Sequence, residues 1–297
     1  MGSYLAADTI EAAVAAMADG ARPVAGGTDL VVAARQGKAA LPGSLVGIHR
    51  IPGLDSIAAS EDGLEIGTLV SHADIVRHES VRDRFAALAD ASALVGSHAT
   101  RAQGTIGGNV MNASPAMDTG APLLCFEATA TLASAGGERN VDLADLWTGP
   151  GTTSAQPGEL LVSIQVPAPP PESGSAYVRL QYRRQMEIAV VGAAAVVSLD
   201  DDVVVNAAIA ITALAPVIHR VPAAEEALLG SSGDATAIAA AAEAAAEASR
   251  PIDDVRASAA YRKAMAVVVT RRALQAAFAR ARGEAIAIPA SETTYGS

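Results

Sequence analysis

The chain has 297 residues and a formal net charge of −11, from 32 acidic and 21 basic side chains. That balance, with no basic stripe and no basic-aromatic interleaving, excludes nucleic acid or an anionic membrane surface as the main partner. The single cysteine, Cys125, excludes an intrachain disulfide and a cysteine-ligated cluster within this chain.

Half of the residues are apolar but only 3% are aromatic, so the core must be built from small side chains that let elements pack closely. The length allows two or more domains. The sequence has no basic-then-apolar leader and no apolar run of about 18 residues, so a cytoplasmic location without a membrane span is expected.

Asp8-Thr9-Ile10-Glu11 predicts a capping box, followed by a helix with Ile10, Val14 and Met17 on one face and Gly20 as its stop. Arg22-Pro23-Val24-Ala25 reads as a short strand entering Gly26-Gly27. Thr28 is the expected cap of a helix over 29–36, ended by Gly37. Strand, glycine turn and helix N-terminus in that order make an anion seat.

Strands follow at 44–48 and 64–67, then a short helix from Ser71-His72-Ala73-Asp74 and an amphipathic helix over 82–95. A polar, flexible stretch over 96–103 delivers a second glycine pair, Thr105-Ile106-Gly107-Gly108-Asn109. Residues 109–118 are polar and turn-rich, 122–126 form a helix or buried segment around Cys125, and 129–133 form a strand.

The three prolines at 169–171 fit neither a helix nor a central strand, so they mark a domain boundary. Beyond it a three-stranded antiparallel meander is expected over 175–183, 189–199 and 203–214, turning at Asp200-Asp201-Asp202. Helices follow at 223–229, 235–248 and about 258–282, and residues 287–297 lack periodicity.

The two glycine pairs carry the functional signal. Each removes two Cβ atoms, so backbone N–H groups can approach a phosphate and the chain can turn to positive φ. Two such pairs, each closed by a small polar residue, point to a diphosphate gripped from two sides and hence to a dinucleotide cofactor.

Three motifs in order give the chain a family resemblance. They are Ala25-Gly26-Gly27-Thr28-Asp29-Leu30; Thr105-Ile106-Gly107-Gly108-Asn109 followed by Ser114-Pro115-Ala116-Met117-Asp118; and Arg183-Arg184-Gln185-Met186-Glu187-Ile188-Ala189. With the closing helix, they make the chain resemble, over nearly its whole length, the FAD-binding subunit of the molybdenum hydroxylases. These are the family of xanthine dehydrogenase and carbon monoxide dehydrogenase.

The resemblance implies an α+β fold. A two-subdomain FAD-binding domain (PCMH-type) over 1–170, divided near 55, would precede a C-terminal domain over 174–286 and a loose tail. It implies FAD on this chain. It also implies an iron–sulfur subunit with [2Fe–2S] clusters and a large molybdopterin subunit as partners, in a dimer of heterotrimers. Electrons would run from the clusters through FAD to an external acceptor.

By the same resemblance Gly26, Gly27 and Thr28 donate to the pyrophosphate, with the Asp29 carboxylate turned away at the helix end. Thr105, Gly107, Gly108 and Asn109 close the other side. Ser114 and Asp118 fall near ribityl or ribose hydroxyls. Arg183 or Arg184 would stabilise the reduced flavin. Ile188 would shield one ring face, while Glu187 stands where the family usually has Asp.

Two other readings stay open: a self-contained flavin oxidase or dehydrogenase, and a non-catalytic nucleotide-binding module. The five histidines have no metal-ligand spacing, although His98 lies close to the second glycine pair. Trp147 reads as a packing anchor, and Cys125 as a small buried hydrophobe.

Overall fold

The computed structural model describes residues 2–291. Its first lobe runs β1 (Ser3–Ala6), α1 (Ile10–Ala18), β2 (Arg22–Val24), α2 (Thr28–Arg35) and β3 (Ser44–Gly47). The strands form a parallel sheet in the order β1-β3-β2, which needs crossover connections, and the two helices supply them. Thr9 rather than Asp8 caps α1, its Oγ1 accepting the N–H of Ala12 at 3.2 Å.

The second lobe opens with β4 (Ile57–Ala59) and β5 (Gly63–Gly67). Six helices follow: α3 (His72–Arg77), α4 (Glu79–Arg84), α5 (Ala86–Leu94), α6 (His98–Gln103), α7 (Ile106–Asn112) and α8 (Gly120–Cys125). It closes with β6 (Thr129–Ser134), β7 (Gly137–Asp142), α9 (Leu143–Leu146), β8 (Trp147–Gly149), β9 (Thr152–Thr153) and β10 (Leu160–Pro167). The five-stranded sheet has the order β4-β5-β10-β6-β7 and is antiparallel throughout. No strand is predicted from sequence over β10, although it is the sheet's centre.

Three local expectations for this lobe are corrected. The helix predicted over 82–95 breaks at Phe85. Its second half, α5, is buried almost all round rather than amphipathic, because the strand over Ser173–Leu180 covers its other side. The stretch over 96–103 holds a helix, α6, whose N-cap Ser97 accepts the Thr100 N–H at 3.2 Å. The second glycine pair lies inside a helix, α7, not in a loop.

The third sheet is β11 (Ser173–Leu180), β12 (Val191–Asp200), β13 (Val203–Thr212) and β14 (His219–Arg220), with α10 (Pro222–Glu226), α11 (Ala235–Ala248) and α12 (Ala259–Ala281). The expected three-stranded meander is there, and the two-residue β14 extends it. Asp201 and Asp202 both have positive φ at the β12–β13 turn, and Arg282 pairs with Asp202 at 2.9 Å. One face of this sheet, with Ala194, Val196, Ala208 and Ala210, joins the second lobe's core. The other, with Ala193, Ala195, Val197 and Ile209, packs in a core with α11 and α12. Burial on both faces explains why β12 reads as a nearly unbroken apolar run.

Buried polar side chains fasten this sheet to the second lobe. Asp90 of α5, fully buried, accepts the N–H of Tyr177 at 3.1 Å and of Ala290 at 2.9 Å, and both terminal nitrogens of Arg280 at 2.7 and 3.0 Å. The expected loose tail is therefore corrected at its start: Ala290 and Ser291 are buried. The rest of that tail lies outside the described residues. Trp147 is an anchor, its Nε1 donating to Val110 O at 3.0 Å. Burial raises the Cys125 thiol pKa strongly, leaving it protonated. Among the described residues no helix is long and apolar enough to cross a membrane.

Candidate functional site

A cleft of about 660 Å³ opens between the first two lobes. That size falls within the range of small-molecule and cofactor sites, roughly 300–1,000 Å³. Ala25, Gly26, Gly27, Thr28, Asp29 and Leu30 line one wall, and Thr105, Gly107, Gly108 and Asn109 line the other. The two motifs that stand far apart in the chain thus face one cavity.

Their backbones are prepared in opposite ways. Gly27 is the N-cap of α2 at φ 68°, a left-handed conformation, and no side chain caps the helix. The expected cap, Thr28, is instead the first helical residue. Among the described residues the N–H groups of Gly26, Gly27, Thr28, Asp29 and Leu30 have no acceptor. They form a fan of donors at the positive end of the helix dipole.

At α7 the N–H groups of the first helical turn are already used. Ile106 donates to Val70 O at 2.9 Å, Gly107 to Thr68 O at 3.1 Å, and Asn109 to Thr105 O at 3.0 Å. The Gly108 N–H goes to the Oγ1 of the N-cap, Thr105, at 3.1 Å. The expectation that this pair donates backbone N–H groups to a phosphate is therefore corrected.

The glycines serve packing as well. A Cβ on Gly26 would stand 1.7 Å from Gln103 O, so the first lobe touches the second backbone to backbone. A Cβ on Gly107 would stand 1.7 Å from Thr68 Oγ1. Gly108 is the exception: it is exposed on the cleft, and its Cβ would meet only Thr105 Oγ1 at 3.1 Å.

Asn109 is held by Thr119, whose hydroxyl donates to Asn109 Oδ1 at 2.6 Å. That assignment leaves the amide NH2, a donor, for the cleft. The Asp29 side chain reaches solvent at the rim, and desolvation by its surroundings raises its pKa.

The remaining candidates lie outside the cleft lining. Ile106 is buried in the core. The Ser114 hydroxyl accepts the Ala116 N–H at 3.3 Å. Asp118 is buried against Arg179 at 2.5 Å and accepts from the Tyr177 hydroxyl at 2.8 Å. Arg179 is completely buried and also donates to Gln181 Oε1 at 2.8 and 2.6 Å. Sequence patterning gives no signal for an arginine buried in an apolar strand.

Arg184 and Ile188 sit on the exposed loop after β11. Arg183 turns back onto that loop, donating to Glu187 Oε2 at 3.1 Å and to Met186 O at 2.8 Å. Glu187 also accepts the Ile188 N–H at 3.1 Å. The loop reaches the cleft's edge through Met186, whose N–H donates to Gly96 O at 2.9 Å. His98 lies outside the cleft lining and contacts Arg101 at 3.2 Å. The cleft histidine is His72, read from sequence only as part of a capping motif.

Fold and cleft are those of a cofactor-binding oxidoreductase domain. A family model for the FAD binding domain in molybdopterin dehydrogenase matches residues 1–169, and one for the CO dehydrogenase flavoprotein C-terminal domain matches 176–277. The chain belongs to this family of FAD-binding subunits of molybdenum-containing dehydrogenases.

The carbon monoxide dehydrogenase medium chain of Hydrogenophaga pseudoflava is 34% identical over 241 residues, covering 81% of this chain and 84% of that one. The 6-hydroxypseudooxynicotine dehydrogenase complex subunit alpha of Paenarthrobacter nicotinovorans is 34% identical over 283 residues, covering 94% and 95%. A solved structure of the Hydrogenophaga pseudoflava carbon monoxide dehydrogenase superposes with a TM-score of 0.90 at 33% identity, covering 94% of this chain and 98% of that one.

Proposed function

We propose that this chain holds FAD across its cleft and serves as the electron-exit subunit of a molybdenum hydroxylase. It would receive electrons from [2Fe–2S] clusters on an iron–sulfur partner and deliver them to an external acceptor. The large molybdopterin subunit would complete a dimer of heterotrimers. One observation carries this reading: a fan of five backbone donors without an acceptor among the described residues, at the N-terminus of α2, inside a cleft, on a chain that is otherwise acidic.

The residues present fit the cofactor. The α2 fan would hold the diphosphate, since a helix N-terminus with free N–H groups is built for an anion. Gly27 sets the direction of the fan through its positive φ. Asn109 would offer its amide hydrogens to a ribityl or flavin oxygen, kept in orientation by Thr119. Bound FAD supplies transfer of electrons between one-electron carriers and the acceptor. Asp118 and Arg179 would act from behind this wall, holding β11 against the segment before α8.

The test is reconstitution of the flavin-free chain. FAD is expected to bind at least 100-fold more tightly than riboflavin, because charge-assisted hydrogen bonds contribute about 1.5–3 kcal/mol each and riboflavin has no phosphate. Equal affinities would defeat the reading. The isolated chain should hold FAD without oxidising any hydroxylase substrate. Such turnover would favour the self-contained flavin enzyme instead.

A further inference from the structure

His72, in the wall of the same cleft, has no role in the reading above. It is the first residue of α3, 1% exposed, and it lines the cavity. Its backbone is fixed, the N–H donating to Gly104 O at 3.1 Å. Its Nδ1 is buried with no hydrogen-bond partner, and neither ring nitrogen has one among the described residues. Nδ1 has almost no accessible surface, so the nitrogen able to meet a group held in the cavity is Nε2, bonded to the Cδ2 on the Gly104 side; a buried ring with no protein partner is rare enough to call for one.

Its position says which part of a ligand it meets. Gly104 separates the ring from the α2 N-terminus: a Cβ there would lie 3.5 Å from His72 Cδ2 and 3.5 Å from Thr28 Oγ1. The imidazole and the Thr28 hydroxyl therefore flank one glycine, with the donor fan on the Thr28 side. The N–H groups of α7 are spent, so the second lobe has no backbone donor there to offer from that helix.

The ring's charge state suits the task. Burial lowers its pKa to about 4, and the nearby Arg101 adds to the effect. Asp74, two residues on in the same helix, is engaged by Ser71 at 2.6 Å and Arg77 at 2.6 Å. A neutral imidazole carries one N–H, and the partner decides which nitrogen bears it.

We propose that His72 is a positioning residue of the cofactor cleft, donating its Nε2–H to an oxygen of the diphosphate seated on α2 and closing that seat from the second lobe. This rests on the FAD reading.

The experiment uses the full flavin-free chain with FAD, ADP and riboflavin as probes, following flavin fluorescence, calorimetry and the ring resonances of 15N-histidine-labelled protein. In the wild-type chain, ADP and FAD should shift the His72 ring nitrogens and riboflavin should not. His72→Phe should weaken FAD and ADP about tenfold and leave riboflavin unchanged. His72→Gln, with an amide donor, should recover most of the loss.

If FAD binds but the His72 resonances stay unmoved, the ring's partner is a buried water only, and the inference is overturned while the FAD reading stands. Unchanged affinity in His72→Phe overturns it equally. If FAD fails to bind but ADP binds and shifts the ring, the FAD reading falls and the diphosphate contact survives. If neither binds, both fall.

Discussion

The two glycine pairs look alike as text and are opposites as structure. At Gly26-Gly27 the chain leaves its backbone donors free, because the N-cap is a left-handed glycine with no side chain to satisfy them. At Gly107-Gly108 a threonine cap and two carbonyls of the preceding segment take every donor of the first helical turn. A Gly-Gly motif therefore does not by itself make an anion seat: the neighbouring acceptors decide. The same contrast separates Asn109, which faces the cleft, from Asp118, which is turned into the core nine residues later.

The sharpest way to break this contrast is at Asp118. Arg179→Met should destabilise the fold by about 3–5 kcal/mol, the cost of leaving a buried charge unpaired. Adding Asp118→Asn should return part of it, as chemical denaturation would show. If Arg179→Met instead leaves stability intact and abolishes FAD binding, the pair belongs to the cofactor and not to the core.

Next is the contact where the lobes meet. Gly26→Val puts a side chain into Gln103 O, a backbone atom that has no rotamer to escape through. Overpacking of this kind costs about 3 kcal/mol, so the expected result is a lower melting temperature together with loss of FAD. A variant of normal stability would mean that the lobes can part at this contact.

Single alanines separate the two pairs directly. Gly27→Ala should cost about 1–2 kcal/mol for its left-handed backbone, and FAD affinity should fall with it. Gly107→Ala should lose about 1–3 kcal/mol of stability through its clash with Thr68. Gly108→Ala has a helical backbone and meets only the Thr105 hydroxyl at 3.1 Å, which a small shift of that side chain relieves, and it should change stability by less than about 1 kcal/mol. Equal behaviour of the last two would contradict the close packing of Gly107 on Thr68.

A further effect, spread over a range of pH, is in the stability of the flavin-free chain. His72 titrates at about 4 when folded, against an ordinary value near 6.5. Between those values the unfolded chain binds the extra proton, so stability should rise with pH from about 4 to 6.5 and level off above. The slope from this group is at most about 1.4 kcal/mol per pH unit, and His72→Phe should remove it.

Much of the cleft could be read in advance because its signals are local. Arg22-Pro23-Val24 entering two glycines and a helix specifies a turn wherever it occurs, and the ordered motifs recover ten residues that do face the cavity. Asp118 and Arg183 could not be placed this way, since nothing in a sequence tells whether a carboxylate will find Arg179 or a loop arginine will fold back on Glu187. The same holds for α5, whose second buried face exists only because β11 lies on it.

The sequence by itself determined the first glycine turn, the meander and the family, because backbone sterics and short-range hydrogen bonds act over a few residues. Tertiary structure alone decided which helix N-terminus keeps its donors free and brought a lone histidine to the same cavity. Those outcomes depend on acceptors supplied by segments distant in the chain, and only the packed fold brings them within hydrogen-bonding reach.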